Sequence, residues 1–90
     1  MRYAVIFTRN DGWSGCTTIE CIKDTYEEAL SAAESTMSDI LKNNKVKGSV
    51  QDNIKKGVVE FGEEDFIDDR IKANFVFTKG KTEVLVQEIE

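Results

Sequence analysis

The chain has 90 residues, 40% of them apolar and 32% charged, with a net charge of −5. That length and balance predict one globular domain over residues 1–90 and exclude a disordered or membrane-spanning chain. The negative charge argues against direct nucleic-acid binding, because that affinity comes from Lys and Arg displacing counterions from phosphates.

Arg2 to Thr8 reads as a strand with Tyr3, Val5 and Phe7 on one side and Ala4 and Ile6 on the other. Apolar residues on both faces predict an interior place in a sheet. Asn10-Asp11-Gly12 is a turn signal, since these residues adopt positive φ at low cost. Trp13 to Ile22 is the return strand, with Trp13, Thr17, Ile19 and Cys21 expected on the core side and Gly15 marking a bulge. Trp13 either packs over the sheet edge or stands out as an anchor for a partner. Cys16 and Cys21 sit five apart in this strand, so we expect opposite faces, no bond between them and a reduced, cytoplasmic protein.

Asp24 to Asn44 carries the clearest pattern. Tyr26, Leu30, Ala33, Met37, Ile40 and Leu41 form one helical stripe, opposed by Glu27, Ser31, Glu34, Ser35, Ser38, Asp39 and Lys42. Asp24 with Glu27, and Thr25 with Glu28, both fit the spacing of a capping box. Asn43 and Asn44 suit the left-handed conformation that ends a helix. Such a helix is ~28 Å long, enough to cross a small sheet.

Ser49 to Lys56 predicts a second, short helix, with Ser49 as its cap and Gly57 as its stop; a strand is the alternative. Val58 to Phe61 is a short strand. Gly62 to Asp69 is an acidic connector with room for one helical turn. Ile71 to Thr78 alternates Ile71, Ala73, Phe75 and Phe77 with Lys72, Asn74 and Thr78. Lys79-Gly80-Lys81 then turns the chain into a last strand, Thr82 to Ile89. The order β-β-α-(α)-β-β-β predicts an α+β domain: an antiparallel sheet of about five strands with one long helix packed on one face.

Catalytic chemistry has little to draw on. The chain has no His, so the commonest general base and zinc ligand are missing. It has no Gly-rich phosphate loop, and two cysteines cannot complete a zinc site. We therefore expect no catalytic residue, no cofactor and no metal. The densest feature is Glu60, Glu63, Glu64, Asp65, Asp68 and Asp69. These acids read as a solvated loop, as a docking surface for a basic partner, or as a Mg²⁺ or Ca²⁺ site; the spacing does not fit a calcium loop. Phe61, Phe66 and Ile67 interrupt them, so some of these three should anchor the segment to the core. Lys42, Lys45, Lys47, Lys55 and Lys56 read as a solvated helix end or as a patch for an anionic partner. Charge is thus segregated along the chain, which can steer a charged partner.

The N-terminal part resembles HicB-family antitoxins. Tyr3-Ala4-Val5-Ile6-Phe7 is similar to their first strand, and Asp11-Gly12-Trp13 to the turn with a following aromatic. Gly15-Cys16-Thr17-Thr18 and Asp24-Thr25-Tyr26-Glu27-Glu28-Ala29-Leu30 are similar to their Gly-Cys strand and helix start. The likeness covers residues 1–34, with Ile19 to Lys23 as an insertion. It implies a protein that neutralises a partner by binding it. In general character the chain is also similar to small acidic phage-encoded inhibitors, anti-CRISPR proteins among them. Together these predict a non-catalytic binding protein. Its partner would be the basic surface of a nuclease or nucleic-acid-binding complex, contacted through Trp13, Glu60, Glu63, Glu64, Asp65, Asp68 and Asp69. A homodimer formed through a sheet edge or helix face is the alternative.

Overall fold

β1 (Tyr3–Asn10) lies where its two apolar faces require, between two other strands. The computed structural model describes residues 1–10, 15–64 and 66–89 and, of residues 10, 15 and 16, the backbone alone. The remaining elements are β2 (Gly15–Lys23), α1 (Tyr26–Asn43), α2 (Val50–Lys55), β3 (Val59–Gly62), β4 (Ile71–Phe77) and β5 (Thr82–Glu88). The strands form one antiparallel sheet in the order β2-β1-β5-β4-β3. The α+β class and the order of elements are those the sequence predicts. Of the turn expected at Asn10-Asp11-Gly12, the backbone of Asn10 ends β1; Asp11, Gly12, Trp13, Asp65 and the side chain of Cys16 lie outside what is described.

One face of the sheet holds the core. Val5 from β1, Val84 and Val86 from β5 and Ala73, Phe75 and Phe77 from β4 are buried there beneath α1, and Val59 from β3 is buried on the same face beside α2. The helix contributes Ala29, Ala33, Met37, Ile40 and Leu41. Tyr26 and Leu30, expected on the stripe, are only half-buried at its margin, and Ala29 takes the central line instead. Ala29 and Ala33 are small, which lets the helix backbone lie close to the strands.

Both ends of α1 are built by local chemistry. Of the two possible caps, Thr25 is used: its Oγ1 accepts from the Glu28 amide at 3.2 Å and donates to Glu28 Oε1 at 3.0 Å. At the other end the left-handed residue is Lys45, φ 60°, and not either asparagine. The Lys45 amide donates to Lys42 O at 3.0 Å and the Val46 amide to Leu41 O at 2.9 Å, the paired bonds of a Schellman stop. Asn44 supports it by donating its Nδ2 to Ile40 O at 2.7 Å. α2 closes in the same way with the residue the sequence offers, Gly57 at φ 79°. Ser49 caps its start, accepting from the Asp52 amide at 3.0 Å.

Two register shifts correct the expected faces. Val5 pairs with Cys21 but Ile6 pairs with Ile19, so Glu20 is an extra residue in β2. Residues opposite one another in an antiparallel pair point to the same side. Cys21 therefore stays on the core side with Val5, half-buried and free, whereas Ile19 and Thr17 turn to the helix-free face with Ile6 and Thr8. The bulge is at Glu20, not at Gly15, which pairs regularly with Asn10. In β4 the extra residue is Lys72, so Ile71 meets Gln87 and leaves the core face that Ala73, Phe75 and Phe77 share. The β4–β5 turn needs Gly80 for space: a Cβ there would lie 2.6 Å from the Phe77 ring.

Candidate functional site

The acidic segment begins on β3 and runs to the start of β4. β3 is an edge strand, paired only with β4. Glu60 lies opposite Val76, on the face away from Val59 and Phe61, and is exposed. Phe61 is the anchor the sequence called for: its ring lies 4.8 Å from that of Phe75, tilted by 40°. Phe66 is half-buried, and Ile67 is fully exposed and anchors nothing.

Beyond β3 the described part of the connector carries no helical turn. Two of its carboxylates are engaged by this chain's own side chains. Tyr26 donates its phenol to Glu63 Oε2 at 2.6 Å, tying the connector to the first turn of α1. Burial raises the Tyr26 phenol well above the ordinary tyrosine range, and the hydrogen bond and charge of Glu63 push the same way. The stability that the raised phenol contributes is fully present at neutral pH and is lost in alkali, as pH rises through the folded-state value. Tyr26 is also held edge-on against Tyr3, with ring centres 5.9 Å apart.

At the far end Asp68 grips Arg70. The guanidinium donates to both carboxylate oxygens, at 3.2 and 3.0 Å, and the Arg70 amide donates to Asp68 Oδ1 at 2.9 Å. These bonds, with the Arg70 side chain foremost, hold the Asp68 carboxyl below its usual range. The Ile71 amide then bonds to Asp68 O at 3.1 Å and closes the turn into β4.

The predicted site residues thus divide. Glu60, Glu64 and Asp69 are exposed, and no hydrogen bond or ion pair engages their carboxylates among the described residues. Glu63 and Asp68 are engaged, by Tyr26 and by Arg70. Trp13 and Asp65 lie outside the described residues. Glu63, Glu64, Asp68 and Asp69 rim a shallow hollow of about 210 Å³ with Phe66 and Lys72. No group of three or more metal-ligating side chains is gathered among the described residues. The lysines at 42, 45, 47, 55 and 56 are all exposed.

A second feature escaped the sequence reading. Between α1, α2 and β3 lies a groove of about 230 Å³, floored by Leu30, Ile54, Phe61 and Phe75 with Glu34 and Glu63 at its rim. Gln51 donates to Glu34 Oε2 at 2.9 Å and so joins α2 to α1 across one end. The four apolar residues come from four elements. Their spacing marks each as facing inward and does not show that they meet at a surface. On the opposite, helix-free face Ile19 and Ile22 of β2 are 60% and 47% exposed. No helix is long and apolar enough to cross a membrane among the described residues. Compared with family profiles, curated proteins and solved structures, the chain matches none.

Proposed function

We propose that this chain is a small, acidic, non-catalytic binding protein that docks on the basic surface of a nucleic-acid-handling protein and blocks it. One observation carries the reading: the side chains of Glu60, Glu64 and Asp69 stand exposed and unengaged near two pinned carboxylates, Glu63 on Tyr26 and Asp68 on Arg70. Carboxylates held in place before contact lose less freedom on binding than those of a loose loop. Against a basic surface they stand where phosphates would, which raises the encounter rate and sets the register. The likeness of residues 1–34 to antitoxins, which act by binding a partner, supports the same reading.

The test reverses the free acids and leaves the two pinned ones alone. Glu60→Lys, Glu64→Lys and Asp69→Lys together take the net charge from −5 to +1, two charges per substitution. A partner captured from the native host by the wild-type chain should associate roughly 10- to 10³-fold more slowly with this variant. The difference should shrink as salt rises. Unchanged association would refute acidic docking.

A second reading, a homodimer, is favoured by one observation. β2 is a nine-residue edge strand, and it presents Ile19 and Ile22 on the helix-free face beside Ile6. Long edge strands with exposed apolar residues invite pairing. A molar mass that rises to twice the chain mass with concentration, and falls back in Ile19→Lys, is the expected result. A monomer at every concentration removes this reading.

A further inference from the structure

The groove between α1, α2 and β3 has the size and charge of a receptor for one side chain of a protein partner. Its volume, about 230 Å³, is below the ~300–1,000 Å³ of typical small-molecule sites. Its floor is apolar, while Glu34 and Glu63 stand at the rim. An apolar occupant is therefore met by acids on the way in, and the chemistry that satisfies both is an apolar residue flanked by Lys or Arg.

The backbone of β3 adds a direction. The Thr78 amide donates to Val58 O at 3.0 Å, directly opposite, so bonded and non-bonded pairs alternate from there. Glu60 bonds across to Val76, and the Phe61 amide and carbonyl point away from β4, to the side with no neighbouring strand. Val59 points the same way but is buried, whereas Phe61 is 36% exposed. The open edge is thus at Phe61, beside the groove.

We propose that this groove takes an extended segment of the partner, one apolar side chain seated on Leu30, Ile54, Phe61 and Phe75, its flanking Lys or Arg meeting Glu34 and Glu63, and its backbone paired with Phe61. This deepens the docking function above and rests on it. An extended segment added to a sheet edge gains affinity from main-chain bonds and specificity from side-chain pockets.

The test uses synthetic peptides with a central Leu, Val or Phe flanked by Lys and Arg, titrated into the isotopically labelled chain. Amide shifts should centre on Leu30, Ile54 and Phe61. Replacing the central residue by Ser should weaken binding at least roughly tenfold, as expected for leaving one large apolar side chain in water. N-methylating the neighbouring peptide amides should weaken it several-fold. Glu34→Lys should weaken it as well, while Glu20→Lys, on β2 at the other edge of the sheet, should not. If the Ser peptide binds equally well, with shifts at Glu64 and Asp69 only, the groove is overturned and acidic docking stands. If no peptide binds although the captured partner still depends on the acids, the groove is overturned too. Persistence of the captured partner through the triple reversal would instead end the docking function itself.

Discussion

Asn53→Asp should cost the fold about 3 kcal/mol or more at neutral pH, although the two side chains have nearly the same shape. Asn53 is 1% exposed. Its Nδ2 donates both protons, to Lys47 O at 3.1 Å and to Ser49 O at 2.8 Å, and so ties residues 47–49 to the helix that follows. Aspartate keeps the volume and reverses the chemistry. The Lys47 carbonyl loses the amide that bonds it, the Ser49 carbonyl keeps only the Asn53 backbone amide at 3.0 Å, and a buried carboxylate faces both oxygens with no cation among the bonds that remain. Burial would raise the carboxyl pKa above its unfolded value. The penalty is therefore fully present above the folded value and fades as pH falls toward ~4. For a domain of this size, stable by ~5–13 kcal/mol, that loss is a large fraction. Urea midpoints of wild type and variant, compared near pH 7 and near pH 4, check both the size and the pH trend. A neutral-pH difference under ~1 kcal/mol would mean the introduced carboxylate is not left buried and unpaired.

Asn53 also shows where the sequence stops being informative. Ser49 and Gly57 announce α2 from both ends, because capping and stopping a helix are local chemistry. Nothing near Asn53 announces a buried amide, since its two acceptors become acceptors only when residues 47–49 fold back over it. The same division runs through the sheet. Ala73, Phe75 and Phe77 alternate as a core face and are one. Ile19 and Ile71 belong to equally regular alternations and leave the core, because each is followed by an extra residue whose place is set by the partner strand. In the candidate site the acids are legible as composition. Which of them are free is not, because Tyr26 and Glu63 lie 37 residues apart in the chain. Asp68 and Arg70 are two apart, and that pair was within reach of a local reading.

Phe75→Ala should be the more damaging single change, at about 3–5 kcal/mol, with a fall in Tm of about 4–8 °C for each kcal/mol. Phe75 is 2% exposed and sits in β4 between Val84 of β5 and Phe61 of β3. Both neighbours are fixed by ladders on either side, so the sheet cannot close over the vacated volume, and the cost is lost transfer energy plus a retained cavity. The damage should also be uneven. β3 is four residues long, and the stacked Phe61 ring is a main contact between it and the core. Amide exchange at Glu60 and Gly62, the positions bonded to β4, should therefore accelerate beyond the global change, and the groove should lose its floor and wall together. Phe61→Ala should cost less, since that ring is already 36% exposed. The double variant should show a coupling of about 0.5–1.5 kcal/mol, the worth of an aromatic pair beyond its burial. Additive costs would mean the two rings touch without supporting each other. In that case the acidic segment would be held to the domain by the β3–β4 ladder and Tyr26–Glu63, and Glu63→Gln would loosen it as much as Phe75→Ala does.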